Sequence, residues 1–230
     1  MSFRPPLWSW IVTVSLLFAL SGLGRWQVQR GFDKAALQAQ FLEAGTHETV
    51  ELDRNLPSQT HAVARGTYDT QRQLLLDNQS RHSQPGYEVL TPLRLSNGDV
   101  VIVNRGWLRA SPDRRQLPPL PVAVGAREVH GIWRGLAQPG LRLKTSNCAA
   151  SGWPRLVEYP TADDLKCVLN APVLDGQLLL DPDQPDGLVR EWNPAGEFPP
   201  MRHYAYAAQW FALALTLLVL FIKFNLKPSK

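Results

Sequence analysis

Two uncharged apolar segments, one near each end of the chain, most constrain how this sequence can fold. The first covers residues 7–24, and the second covers residues 204–222 and is closed by Lys223. Each is about long enough for a helix to cross a hydrocarbon layer of ~30 Å. A cleavable signal peptide is the alternative for the first segment, but its n-region has only Arg4 and its apolar run is longer than usual. We therefore predict a membrane protein with two terminal transmembrane helices.

Positive charges near these segments predict their orientation. The short carboxyl tail carries Lys223, Lys227 and Lys230, and Arg4 precedes the first segment. Cations in short segments favour the cytoplasmic side, whereas long segments cross largely regardless of charge. Both termini are therefore predicted to be cytoplasmic, and the formal net charge of +4 needs no nucleic-acid partner. The predicted layout is a cytoplasmic terminus (1–6), a transmembrane helix (7–24), an outer domain (25–202), a second transmembrane helix (203–222) and a cytoplasmic tail (223–230).

The region between the spans changes in character after Gly45. Up to that glycine, helix formers extend the first helix out of the membrane, and beyond it short apolar runs are interrupted by turn residues. The sequence predicts one mostly antiparallel, barrel-like β domain of α+β class. Asn97 and Gly98 suggest a two-residue type I′ turn, and Thr161 with Asp164 suggests a capping box. The nine predicted strands are 49–52, 62–68, 73–76, 87–95, 100–108, 122–133, 154–157, 173–180 and 187–191.

Cys148 and Cys167 are the two cysteines of the chain, and no histidine follows them at a zinc-site spacing. An even number of cysteines in a domain outside the cytoplasm permits one disulfide. Two unpaired buried thiols are the alternative, because the sequence does not place the Cα atoms within bridging distance.

The common catalytic frameworks are absent from this sequence. It has no GxSxG, HExxH, phosphate-loop or GxGxxG motif, which argues against the enzyme classes that depend on them. His47, His61, His82 and His130 fall on separate predicted strands and loops, where a lone histidine is more often a packing or surface residue. We therefore expect a protein that is not an enzyme.

The segment VNRGW, residues 103–107, ends the most apolar predicted strand. Arg105 is either a structural arginine, with its stem against Trp107, or a binder of an anionic group. Gly106 suggests a bulge or a close backbone approach at the end of the strand.

The start of the second span carries polar and aromatic residues that a plain anchor does not need. His203, Tyr206 and Trp210 are three and four residues apart and therefore share one helical face. An interfacial aromatic belt accounts for the tyrosine and the tryptophan. His203 is open to three interpretations: a solvated cap, a hydrogen-bond partner of Tyr206, or an axial ligand of haem iron. A neighbouring row of small residues predicts close approach of another helix, such as the first span: Ala208, Ala212 and Thr216.

Four segments, in this order and between two terminal spans, resemble the surfeit locus family of cytochrome c oxidase assembly proteins. They are LGRWQVQRGFDKAAL, GYEVLTPLRL, VIVNRGWL and HYAYAAQWFALA. The resemblance covers nearly the whole chain. It implies a protein of the bacterial cytoplasmic (inner) membrane, with its main domain in the periplasm.

The resemblance also implies a function and a set of site residues. A family member would receive haem a from the haem A synthesis machinery and help to place it in the catalytic subunit of cytochrome c oxidase, respiratory complex IV. His203 corresponds to the histidine that binds haem a, with Tyr206 and Trp210 beside the ring and Arg202 available to a propionate. The post-membrane motif and the strand-end motif would position the domain or contact a partner: Trp26, Gln27, Arg30, Asn104, Arg105, Gly106 and Trp107.

A membrane chaperone that steadies the catalytic subunit without binding haem is the main alternative function. The two functions differ in whether His203 is needed for a haem absorbance band in the purified protein.

Overall fold

The computed structural model describes residues 2–3, 5–45, 48–113, 116–136, 148, 152–192 and 198–227. The chain divides into two compact units, Met1–Gln40 with Asn193–Lys230, and Phe41–Trp192. We call them the helical unit and the sheet unit. The helices are α1 (Leu7–Ala44), α2 (Ala162–Leu169) and α3 (Pro200–Asn225). The strands are β1 (Ser2–Phe3), β2 (Val50–Glu51), β3 (Thr60–Tyr68), β4 (Leu74–Arg81), β5 (Gln84–Leu95), β6 (Val100–Arg109), β7 (Ala126–Arg134), β8 (Arg155–Val157), β9 (Val173–Leu180) and β10 (Leu226–Lys227).

The helical unit contains two long apolar helices. Helix α1 has 38 residues and α3 has 26, which corresponds to lengths of about 57 Å and about 39 Å. Both are long and apolar enough to cross a membrane. The predicted pair of terminal helices is therefore confirmed, and α1 continues to Ala44 as the run of helix formers indicated. Strands β1 and β10 form a two-residue antiparallel pair.

Helices α1 and α3 pack side by side in antiparallel directions along one helix–helix seam. Their least exposed positions recur at alternating intervals of four and three residues, a 3.5-residue period typical of coiled-coil packing. Large rings of α3 lie over glycines of α1: a Cβ added at Gly24 would meet the Phe211 ring, and one at Gly31 would meet the Tyr204 ring. The seam positions are Thr13, Leu17, Leu20, Gly24, Gln27 and Gly31 on α1, and His203, Ala207, Trp210, Ala214, Leu217 and Phe221 on α3.

The predicted helix-packing row was wrong. Ala208, Ala212 and Thr216 are all exposed on α3 and take no part in its seam with α1. The seam instead uses a row that contains the bulky His203 and Trp210. The small residues of the seam are supplied by α1, whose glycines leave room for the Phe211 and Tyr204 rings of α3.

The sheet unit is built on a closed five-stranded barrel. The eight-stranded order is β2-β3-β7-β9-β6-β5-β4-β8, and an additional pairing of β3 with β5 closes the ring. Five of the eight pairings are antiparallel, so the prediction of a mostly antiparallel, barrel-like domain is confirmed. Three pairings are parallel, which the sequence did not indicate: β2 with β3, β4 with β8, and β6 with β9.

The two larger of the three apolar clusters found among the described residues hold most of the sheet unit together. One fills the barrel with side chains from β3, β5, β6, β7 and β9, and the other lies between α2 and strands β4, β5, β6, β8 and β9. Helix α2 starts with the predicted capping box, in which Thr161 Oγ1 accepts from the Asp164 amide and the Asp164 carboxylate accepts from the Thr161 amide. Leu165 and Leu169, both fully buried, face the second cluster.

Two local predictions need correction. The Asn97–Gly98 hairpin is not a two-residue type I′ turn, because the positive φ angle is at Gly98, +88°, and Asn97 has none. The Gly98 amide donates to the Leu95 carbonyl, and the Leu95 amide donates to the Asp99 carbonyl, so the loop has three residues and ends in a left-handed glycine. The predicted strand at 187–191 reduces to one bridge between Val189 and Trp107.

Cys148 and Cys167 form a disulfide with a Cα–Cα distance of 5.7 Å. The pairing joins α2 to residue 148, nineteen positions earlier in the chain. Of the two alternatives for the cysteines, the structure therefore shows the disulfide.

Candidate functional site

His203 lies in the first turn of α3 and points into the seam of the helical unit. Pro199 is the N-cap and Pro200 the first helical residue, and proline suits this position because its fixed φ matches the helix and no amide is lost. The His203 Nδ1 atom lies 2.8 Å from Oε1 of Gln27 on α1. An amide oxygen accepts only, so Nδ1 carries the proton and donates it to Gln27.

The other ring nitrogen of His203 has no partner. Its Nε2 atom is buried, and no group of the described chain forms a hydrogen bond with it. In the neutral imidazole with its proton on Nδ1, Nε2 holds a free lone pair. A buried polar atom left unpaired costs about 1–3 kcal/mol, and such atoms are rare in folded proteins. This nitrogen is therefore the best candidate in the helical unit for binding a ligand that the chain itself does not supply.

Phe198 is the aromatic centre of this site and was missed by the sequence reasoning. Its ring lies 5.7 Å from the His203 ring and is stacked at 6.2 Å on the Tyr206 ring. The guanidinium carbon of Arg202 lies 5.4 Å from the same ring. Phe198 precedes α3 in a segment without helical periodicity, so no sequence signal marked it.

His203, Tyr206 and Trp210 lie on one side of α3, as predicted from their spacing, but only two of them are seam positions. His203 and Trp210 are both half-buried positions of the seam, whereas Tyr206 is 43% exposed beside it. Phe198 connects Tyr206 to the imidazole, since both rings contact it. Of the interpretations open to His203, the described structure shows neither a solvated cap nor a hydrogen bond to Tyr206, and the His203 hydrogen bond is to Gln27.

The three residues of the post-membrane motif have different environments. Trp26 and Arg30 are exposed on α1, while Gln27 is half-buried and reaches His203. The motif therefore contributes one residue directly to the His203 site. Its other two members remain available to lipid or to a partner.

Arg105 is buried in the sheet unit, with 3% of its surface exposed. Its Nε donates to the Asp186 carbonyl at 2.7 Å, Nη2 to the Pro121 carbonyl at 2.7 Å and Nη1 to Gln73 Oε1 at 3.0 Å. Burial lowers the pKa of its guanidinium. Each of the three guanidinium nitrogens of Arg105 thus donates to an oxygen of the protein itself. This geometry favours the structural role over anion binding.

The other members of the strand-end motif also bind within the sheet unit. Asn104 Nδ2 donates to Glu88 Oε2 at 2.7 Å and to Gln177 Oε1 at 3.1 Å. Burial raises the pKa of the Glu88 carboxyl, against the opposing effect of the Asn104 hydrogen bond. Gly106 has a φ of +110° and lies against the backbone of Val189, where a side chain would collide. Trp107 Nε1 donates to the Gln79 carbonyl at 2.8 Å.

Two further histidines of the described chain, His61 and His130, have ordinary polar partners, and His82 is exposed. His61 Nδ1 lies 2.7 Å from Thr49 Oγ1 and its Nε2 lies 2.7 Å from Asp181 Oδ2. His130 Nε2 lies 2.8 Å from Glu128 Oε1. Among the described residues no group of three or more His, Cys, Asp or Glu side chains could hold a metal ion. His47 lies outside the described residues.

The chain matches the model of one protein family. The SURF1 family model covers residues 14–215, which includes most of α1, the whole sheet unit and the first part of α3. A comparison with curated proteins finds no significant match. The chain therefore belongs to the SURF1 family, which is associated with the assembly of cytochrome oxidase.

Proposed function

We propose that this protein binds haem a at His203 and delivers it for insertion into the catalytic subunit of cytochrome c oxidase. Haem a is the cargo of the protein, and the haem A synthesis machinery is its source. The role is that of a carrier and not of an enzyme. The family gives the general function, oxidase assembly, and the His203 site supports the specific one.

One observation carries the proposal: the buried, unpaired Nε2 of His203. Neutral imidazole nitrogen is a common ligand of haem iron. The free lone pair has the chemistry that an iron ligand needs, and no side chain of the described chain competes for it. Because Nε2 is buried, iron reaches it only when neighbouring side chains move. Phe198, whose ring is next to the imidazole and 43% exposed, is the first candidate to move.

The surroundings of His203 suit a porphyrin. Phe198 and Tyr206 provide stacked rings for an apolar macrocycle, and Arg202 is an exposed cation that can meet a propionate. Trp210 lies two turns further along the seam. A single axial histidine in a site that can open binds haem more weakly than a closed pair of histidines. Weaker binding suits a carrier, because it must release its cargo to a site of higher affinity.

The proposed location is the bacterial inner membrane, with both termini in the cytoplasm and the sheet unit in the periplasm. The two apolar helices support membrane anchoring. The Cys148–Cys167 disulfide supports the periplasmic side, since such bonds persist in oxidising compartments. In this arrangement the lipid bilayer holds the hydrophobic tail of haem a, and the sheet unit faces the oxidase.

The test is the haem a content of oxidase isolated from cells that lack the wild-type chain and express a variant. His203→Asn is compared with His82→Asn, a matched change at an exposed histidine of the sheet unit. We expect His203→Asn to lower haem a per catalytic subunit to the level of the deletion strain, although the variant reaches the membrane in normal amount. His82→Asn should match the wild type.

Normal haem a content with His203→Asn would reject the carrier role. The function would then be that of a chaperone that needs the fold but not the imidazole.

A further inference from the structure

We propose that Gln27 is a positioning residue that fixes the tautomer and the orientation of the His203 imidazole; its value for iron binding rests on the function proposed above. The chain's two long helices each supply one member of this pair. Gln27 was expected to help to position the domain or contact a partner, and the structure gives it a different contact.

The position of Gln27 on α1 makes the contact close and well defined. Its side chain faces the seam and is half-buried. Gly24 and Gly31, three and four residues away on the same face, lie under the rings of Phe211 and Tyr204. These glycines leave room for the two rings on both sides of Gln27. The 2.8 Å contact between Gln27 Oε1 and His203 Nδ1 therefore forms between two levels at which a ring of α3 lies against a glycine of α1.

The chemistry of the contact selects one of two neutral tautomers. Because Oε1 only accepts, it requires a proton on Nδ1, and Nε2 is left with the lone pair. Rotation of the ring by half a turn would break this hydrogen bond. Gln27 thus keeps the unprotonated nitrogen in one fixed direction, which is what a metal ligand requires.

The neutral amide also sets how strongly the histidine binds. A carboxylate in the same place would draw the Nδ1 proton more strongly and make Nε2 a stronger donor to iron. An amide fixes the ring with less effect on its basicity. A fixed ring orientation together with moderate basicity is expected of a histidine from which the iron must later dissociate.

The tautomer is tested without haem, on the full chain in detergent labelled with ¹⁵N-histidine. The signal of His203 is identified by its loss in His203→Asn. We expect Nδ1 to be protonated in the wild type and in Gln27→Glu, which keeps an acceptor oxygen. Gln27→Leu should lose this preference. Gln29→Leu is the matched control, because Gln29 is exposed on α1 and bonds to Asp33 at 3.0 Å. An unchanged His203 spectrum in Gln27→Leu overturns the proposal.

The consequence for iron is tested by titrating the same proteins with hemin. We expect Gln27→Leu to raise Kd by about 10- to 100-fold, the usual effect of removing the partner of a ligating histidine. Gln27→Glu should bind at least as tightly as the wild type, and Gln29→Leu should be unchanged. Helix content measured by circular dichroism shows whether each variant is folded. If Gln27→Leu does not fold, the hemin Kd of Gln27→Glu is the test, and weaker binding than the wild type overturns the proposal.

The two proposals fail in different ways. If His203→Asn abolishes hemin binding but Gln27→Leu keeps both Kd and tautomer, the role of Gln27 is rejected and the haem-binding function stands. If wild type and His203→Asn bind hemin equally, the haem-binding function is rejected, and the iron-related part of this inference is rejected with it, whatever the tautomer.

Discussion

Arg105→Lys should destabilise the sheet unit strongly although it keeps the charge. The guanidinium donates in three directions, to the carbonyls of Asp186 and Pro121 and to Gln73 Oε1, at 2.7, 2.7 and 3.0 Å. A lysine ammonium cannot reach all three, because it lacks the planar fork. About two buried acceptors lose their donor, at roughly 1–3 kcal/mol each. We therefore expect a loss of about 3 kcal/mol, which lowers Tm by about 6–12 °C in a domain of this size.

The assay is thermal unfolding of the full chain in detergent, followed by the near-ultraviolet circular dichroism of the sheet unit. Arg94→Lys, at an exposed arginine of β5, is the matched control and should change Tm by less than about 2 °C. If Arg105→Lys leaves Tm within about 1 °C of the wild type while oxidase assembly fails, the structural reasoning is refuted and Arg105 binds an anionic group or a partner.

Three further predictions concern stability, each measured by thermal unfolding. Gly31→Ala should lower the free energy of unfolding by about 1–3 kcal/mol, because the added methyl would collide with the Tyr204 ring. Gly22→Ala, which has open space around it, should not lower it, and equal effects of the two changes would show that Gly31 does not pack against Tyr204. Cys167→Ser should lower the free energy of unfolding by about 3 kcal/mol, the loop-closure value for the 19-residue separation. A reductant should lower the Tm of the wild type but should have no further effect on the Tm of this variant. The hydrogen bond from Arg54 lowers the pKa of Asp99. The stability that this ionised pair contributes is therefore present above about pH 4 and is lost as the pH falls through the lowered folded-state pKa. Asp99→Asn should lower Tm at pH 7 and should have the same Tm as the wild type in strong acid.

Local sequence patterns predicted the elements of the fold, because each depends on neighbouring residues. Uncharged apolar runs predicted α1 and α3, and the alternation of apolar and turn residues predicted most strands. Thr161 with Asp164 predicted the start of α2. The three parallel pairings were not predicted. Two of them join strands that are distant in the chain, β4 with β8 and β6 with β9, and the third involves β2, which has only two residues.

The candidate site was predicted only in part, for a similar reason. His203 was marked by its place at the head of a span and by the family resemblance. Its partner was not, because Gln27 lies 176 positions earlier. The helix-packing row was wrong because one helix alone offers several faces, and the fit of Tyr204 over Gly31 is visible only when both helices are present. Phe198 lies outside any periodic segment.

The most direct test of the central claim is the haem content of the purified protein. The full chain is isolated in mild detergent from cells that make haem a, and a pyridine haemochrome spectrum is recorded for the wild type, His203→Asn and His82→Asn. We expect a haem a spectrum for the wild type and His82→Asn and its loss in His203→Asn, with all three proteins inserted in the membrane. The same haem content and spectrum in His203→Asn would contradict it.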